Sequence, residues 1–276
     1  MSNSTGNTRT PGTRTAVITG SSHGLGYAMA QALLERGINV VVSGPSIASC
    51  RRAAASMTGG SSGARALAVS CDIRSRRSLD RLSRAARSAF GHVDIWINNA
   101  GVALTGTDLA TVTEDEWRLM VDINLTGTLL ACQTAVAAMT NSGGVIYNVL
   151  GAGADGVPVP RMGAYATTKA GLTFLTRSLA QELTASSSRV DGLSPGLVMT
   201  EGFLREHAKI PEDSRVEREK VVNLIADHPQ TVGRWAARII DTSKAHDRVF
   251  SWLTPAKIRR RQALKRPRDI LSRYRT

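Results

Sequence analysis

Thr15-Ala-Val-Ile-Thr19 is a short β-branched run that passes directly into Gly20-Ser-Ser-His-Gly24-Leu-Gly26, after which Leu25, Met29, Leu33 and Leu34 recur at helical spacing as far as Gly37. A continuous apolar run is a strand buried on both faces, and a glycine after the last periodic residue is a helix stop. Ile38 to Val42 is again continuous and apolar. The unit is βαβ, which commits the chain to a parallel sheet that needs helices on both sides. Glycines between strand and helix let backbone N–H groups approach a pyrophosphate at the helix N-terminus.

The alternation continues with a helix near Ile47 to Met57, a Gly/Ser loop from Thr58 to Gly63, a strand from Ala66 to Cys71, an Arg-rich helix from Ser75 to Phe90 and a strand from Val93 to Ile97. A helix from Glu114 to Met139 begins with acids after Thr113, an N-cap arrangement that suits the helix dipole. Strand Val145 to Val149, helix Gly163 to Glu182 and strand Arg189 to Leu193 follow. Beyond Pro195-Gly196 come a charged helical region from Thr200 to Ala226, a helix from Pro229 to Asp241 and a last strand in Arg248 to Thr254. The expected division is a lead at 1–13, one domain at 14–254 with a lid at 200–226, and a basic tail at 255–276.

The formal charge of +13 is concentrated at one end: from Thr254 onward nine Lys/Arg face only Asp269, so that segment holds +8. Two readings stand for it, a helix packed on a sister subunit and a weak contact with an anionic surface; specific nucleic-acid binding is not expected, because aromatic interleaving is limited to Tyr274. Cys50, Cys71 and Cys132 are odd in number and widely spaced, which suggests neither a disulfide framework nor a metal site and points to a reducing cytoplasm. The lead has no apolar core of a signal, and no run approaches the ~18 apolar residues of a membrane span.

Tyr165 and Lys169 lie one turn apart on one helical face. A phenol beside an ammonium is a proton donor whose pKa the cation lowers, although the same pair also fits a solvated helix edge. The glycine spacing Gly20, Gly24, Gly26 resembles the short-chain dehydrogenase/reductase family. So do Asn98-Asn-Ala-Gly101, Asp122-Ile-Asn-Leu125, Tyr165-x-x-x-Lys169 and Pro195-Gly196 with Thr200, in that family's order. Gly151-Ala-Gly-Ala-Asp-Gly156, Tyr-Ala-Thr-Thr-Lys, Val222-Asn-Leu-Ile and Trp252-Leu-Thr-Pro255 are similar to its chlorophyll b reductase branch; no chlorophyll substrate is inferred from this.

The resemblance implies a Rossmann-type, doubly wound parallel α/β sheet of about seven strands. It implies Tyr165 as catalytic acid/base, Lys169 as the residue that binds the nicotinamide ribose and lowers the tyrosine pKa, and Asn124 as holder of a relay water. The cofactor residues carried over are Gly20, Ser22, His23, Gly24, Leu25, Gly26, Asp72 and Ile73 near the adenine, Asn98, Ala100, Gly101, Pro195, Gly196, Val198 and Thr200. NADP(H) is favoured over NAD(H). The second strand ends Val42-Ser-Gly-Pro-Ser46 without the acid that usually holds a ribose 2′-OH, and Ser43, His23 and Arg51/Arg52 offer donors or charge; the arginines fit a solvated helix face equally well. Substrate candidates are Ala152, Phe203 and His207. Small residues such as Ala131, Ala135, Ala138, Ala166 and Ala170 suit a homodimer or homotetramer, or packing on the enzyme's own sheet.

The chain departs from the family where a serine usually stands thirteen residues before the tyrosine. That position is Ala152, and from Asn148 to Ala164 there is no Ser, Thr or Tyr. Loss of one oxyanion donor typically costs about 10²–10³ in rate. The sequence therefore leads to an NADP(H)-dependent reductase of a carbonyl or imine in a small organic substrate. The alternative is a cofactor-binding member with a non-redox activity (cyclisation, dehydration or rearrangement) or a weakened enzyme.

Overall fold

The first strand, β1 (Thr15–Ile18), lies between two parallel neighbours, with Ala16 opposite Val40 on one side and Ile95 on the other. The computed structural model describes residues 13–59, 63–208, 212–264 and 268–274. Nearly all of the expected lead, the centre of the Gly/Ser loop and part of the basic tail lie outside them. The seven strands are β1, β2 (Asn39–Gly44), β3 (Ala66–Ser70), β4 (Ile95–Asn98), β5 (Gly144–Val149), β6 (Ser188–Ser194) and β7 (Val249–Ser251). They form one sheet in the order β3-β2-β1-β4-β5-β6-β7, with every pairing parallel.

Helices α1 (Gly24–Glu35), α2 (Ile47–Ser56), α3 (Arg76–Phe90), α4 (Glu114–Val121), α5 (Thr128–Met139), α6 (Gly163–Glu182), α7 (Glu201–Ala208), α8 (Glu212–Ile225), α9 (Pro229–Thr242) and α10 (Pro255–Gln262) complete the described chain. Strand side chains alternate between faces. Ala16, Ile18, Val40, Val42, Ile95 and Ile97 pack with α1 and α9 on one face, whereas Val17, Val41, Trp96 and Ile146 pack with α3 and α5 on the other. The doubly wound sheet of seven strands is the architecture the sequence led to. Where α1 and α9 touch, a Cβ on Gly233 would stand 2.6 Å from the Ala28 carbonyl carbon, so only a bare Cα allows that approach.

The expected single helix from Glu114 to Met139 is interrupted by a π turn at Asp122–Gly127. Against the expectation that no run approaches a membrane span, this helical stretch is long and apolar enough to cross a membrane by length and composition, and 44% of its most apolar window is buried within the fold. Of the small residues read above as suiting either an oligomer or the enzyme's own sheet, Ala131 and Ala135 are buried against the sheet. That leaves exposed Phe174, Leu129, Leu119 and Trp117 as the apolar surface of these helices.

Part of the basic tail is folded onto α8. Asp227 accepts from Trp252 Nε1 at 2.6 Å and is ion-paired with both Arg261 and Arg268. Arg268 also donates to the carbonyls of Leu224 and Ala226 at 3.0 and 2.9 Å, and the Asn223 side chain accepts the N–H groups of Ile270 and Leu271. Leu271 is buried with Met199, Val222 and Ala226, against Phe203 and Leu204 of α7.

Candidate active site

Strand order reverses between β1 and β4, the place where an open parallel sheet leaves a crevice beyond its strand ends. Three loops converge there. A Cβ on Gly20 would lie 2.7 Å from Ala100 Cα, and one on Gly24 would lie 3.3 Å from Thr200 Cγ2, so the loops after β1, β4 and β6 are in contact at glycine-sized gaps. Gly20 and Gly24 have φ of +61° and +60°, the left-handed region open to glycine. Asn99 pins this loop, its Nδ2 donating to the carbonyls of Thr19 and Gly20 at 3.0 and 2.8 Å. The Thr19 hydroxyl in turn accepts the N–H groups of Asn99 and Ala100.

At the start of α1, His23 makes no capping bond with its side chain and no acid occupies the first turn. The amides at Gly24 to Gly26 therefore face the crevice end with the favourable dipole uncompensated. Such a cradle fits a dinucleotide pyrophosphate. Ser22 and His23 stand at its rim, hydroxyl to Nδ1 at 3.1 Å.

Asn124 lies in the π turn and is almost fully buried. Its Oδ1 accepts the Val102 N–H at 2.9 Å, and its Nδ2 donates to the Val102 carbonyl and to the Thr168 hydroxyl. Thr168 is on α6 between Tyr165 and Lys169, and its hydroxyl donates to the Tyr165 carbonyl at 2.7 Å. The wide turn thus ties the loop after β4 to the helix that carries the pair; π turns often occur at such functional places. Lys169 donates from Nζ to the Val149 carbonyl at 3.0 Å, and the same nitrogen lies 5.6 Å from the Tyr165 ring centre. Burial pushes the Lys169 ammonium down to about 8 and the Tyr165 phenol up to about 12. The expected lowering of the phenol by its lysine is not the effect that prevails: burial disfavours phenolate and ammonium alike. A Cβ on Gly151 would lie 2.3 Å from the Tyr165 oxygen, so the phenol occupies the space that this glycine leaves.

A glycine-lined crevice beside a Tyr/Lys pair, on a seven-stranded parallel sheet, coincides with a match of residues 14–209 to the family model for short chain dehydrogenase. The chain belongs to the short-chain dehydrogenase family. Among curated members, it is 32% identical over 252 residues to "Chlorophyll(ide) b reductase NOL, chloroplastic" of Oryza sativa subsp. japonica, covering 85% of this chain and 74% of that one. It is 31% identical to "Probable chlorophyll(ide) b reductase NYC1, chloroplastic" of Arabidopsis thaliana over 90% of this chain, but spans only about half of that protein, 52%. Among solved structures, 3-ketoacyl-(acyl-carrier-protein) reductase from Brucella melitensis, complexed with NADH, superposes with a TM-score of 0.75 at 26% identity, over 88% of this chain and 98% of that one. Within the short-chain dehydrogenases the likeness is thus to the chlorophyll b reductase branch, as the loop motifs led us to expect.

Other residues singled out in the sequence fall into two groups. Gly101 faces the centre, since a Cβ there would lie 3.1 Å from Asn124 Oδ1 and 3.8 Å from Lys169 Nζ. Thr200 caps α7 by accepting the Phe203 N–H, and Gly196, at φ +69°, turns the chain beside Leu253. Pro195 precedes that turn, and Val198 pairs with Asp227. Ala152 is half-buried beside Gly151. Phe203 and His207 stack on the lid with ring centres 5.7 Å apart.

Three residues have partners within the chain. Ser43 is fully buried, because β2 continues to Gly44, and its hydroxyl donates to the Ile18 carbonyl at 3.0 Å. Asn98 lies in a buried polar ladder with Trp96 Nε1, Asn148 and Cys132. Asp72 is clasped by Arg74, which holds its carboxyl below the usual range. Ile73 packs on Gly127 and Leu25 on the sheet's first core layer. The sequence reading gave no role to Asn99, Thr168 or Gly151, although each stands in a stretch it quoted: Asn99 in Asn98-Asn-Ala-Gly101, Thr168 in Tyr-Ala-Thr-Thr-Lys and Gly151 at the head of the glycine-rich loop.

Proposed function

We propose that the protein is an NADP(H)-dependent reductase of a carbonyl or imine group in a small organic substrate, with Tyr165 as proton donor. The observation that carries this reading is the half-buried phenol of Tyr165 lodged over Gly151, with Lys169 one turn on and Asn124 tied to the same helix through Thr168. Burial keeps that phenol protonated near neutrality, the form required of an acid. A nicotinamide bound in the crevice would supply the hydride. The chain's own residues do the rest. The amides at Gly24 to Gly26 hold the pyrophosphate, Lys169 orients the ribose, and Tyr165 gives its proton to the substrate oxygen or nitrogen and recovers it through Lys169 and a water at the Asn124–Val102 pair. The acid-free sequence Gly44-Pro45-Ser46 at the end of β2, with Ser22 and His23 at the rim, supports NADP(H) over NAD(H). Three buried free thiols support a reducing cytoplasm, and exposed Phe174 and Leu129 support a homodimer or homotetramer.

A Tyr165→Phe protein is expected to keep NADPH affinity within about threefold and to lose at least a hundredfold in turnover, the low end of general-acid contributions. NADPH quenching titration and the decay of reduced-nicotinamide absorbance measure the two; unchanged turnover rules the role out. The hydroxyl-free loop around Ala152 favours a second reading, a non-redox or weakened member. Product formed without NADPH consumption selects it.

A further inference from the structure

Arg218 is half-buried on α8 with little to hold it. Its Nη2 makes one long hydrogen bond, 3.4 Å to the Thr105 hydroxyl, and its guanidinium carbon lies 6.0 Å from the Phe203 ring centre. A guanidinium has five donors, and partial burial without a carboxylate partner is costly. Among the described residues Arg218 forms no ion pair. Burial and the nearby Arg161 cation lower its pKa, opposed only by Glu206.

Arg161 arrives at the same place from the other wall. Its backbone is left-handed, at φ +59°; its carbonyl accepts the Gly106 N–H at 2.8 Å, and its guanidinium is 3.5 Å from Asp108. The segment from Thr105 to Asp108 therefore receives one arginine from the lid and one from the loop that follows Gly151. That segment begins three residues after Val102, the backbone partner of Asn124. Beside Phe203, the buried His207 ring has an Nδ1 without a hydrogen-bond partner. Arg161 already has Asp108 as its counterion, whereas the Arg218 fork has only its long bond to Thr105, and an open guanidinium fork matches a carboxylate in particular.

We propose that Arg218 is a specificity residue that binds the carboxylate of the substrate, with Arg161 as second cation and Thr105 orienting the fork, so that the substrate class is carbonyl compounds bearing a carboxylate. The assignment rests on the reductase reading of the same cleft.

The test compares 4-carboxybenzaldehyde with its uncharged methyl ester, NADPH being supplied to both. The native protein is expected to favour the acid in kcat/KM by about tenfold or more, the worth of one charge-assisted pair. In Arg218→Met the acid-to-ester ratio is expected to fall to about one, and in Arg218→Lys to recover in part. Equal use of acid and ester by the native protein, or a preference that survives in Arg218→Met, overturns the proposal. Calorimetric titration of benzoate into the NADP⁺-saturated protein separates this inference from the reading beneath it. Benzoate that binds the native protein and not Arg218→Met supports the anion site even where neither aldehyde is reduced, an outcome that sinks only the reductase reading. No benzoate binding to the native protein, or equal binding to both, overturns the site itself.

Discussion

Gly151 is the residue on which the position of the phenol turns. Because its Cβ would stand 2.3 Å from the Tyr165 oxygen and 3.1 Å from Cζ, Gly151→Ala must push the ring aside. A displacement near 1 Å costs about a hundredfold in a positioned reaction; that loss of kcat is expected with little change in melting temperature, measured by NADPH oxidation beside a thermal scan. Lys169 sets a second expectation. With its amine at about 8, kcat/KM for reduction should fall along one basic limb centred near pH 8, while the phenol, at about 12, stays protonated throughout. The sign for stability is opposite. An unfolded lysine keeps its proton to about 10.4, so between pH 8 and 10 the unfolded chain binds more protons and this group makes the fold more stable as pH rises. A pH–rate profile run with a pH–melting series separates the two. Tyr165, Lys169, Asn124 and the three glycines could be singled out in the sequence because their motifs stand in the order of the family it resembles; the spacing of Tyr165 and Lys169 alone also fitted a solvated helix edge. Asn99 and Gly151 stand in motifs quoted above, but their partners, Thr19 and Tyr165, are set by the fold; Arg218 meets Thr105, 113 residues back along the chain, which no local pattern carries.

At the scale of elements, the strand-helix alternation reads directly from sequence because buried parallel strands leave unbroken apolar runs and helices leave a 3.6-residue period. Two details do not follow from period. The end of β2 extends to Gly44, which turned Ser43 from an expected ligand into an internal hydrogen-bond donor. The π turn at Asp122–Gly127 widens a helix whose sequence looks uninterrupted, and the Asn124 side chain within it is bonded to Val102 and Thr168, partners no helical period reveals. Gly233 gives an element-level test. Its missing side chain lets α9 rest on the Ala28 backbone of α1, and Gly233→Ala is expected to cost about 1–3 kcal/mol by overpacking. Urea denaturation should register this as a lower midpoint at unchanged m-value.

Over the whole molecule, the charge that looked like a free basic tail is partly consumed inside the fold. Arg261 and Arg268 neutralise Asp227, whose side chain is 9% exposed, so fewer of the tail's cations remain for an anionic surface than its sequence suggests. Removing one partner from a buried ion cluster typically costs about 3–5 kcal/mol. Asp227→Asn is therefore expected to lower stability by that order and to raise the KM for the aldehyde more than for NADPH, since Val222 and Leu271 hold α7 from behind. Denaturation and two-substrate kinetics check both parts. The same clasp makes the tail part of the substrate mouth. Met199, Phe203 and Leu204 pack with Leu271, so anything that drew the tail away from Asp227 would also strip the backing from α7.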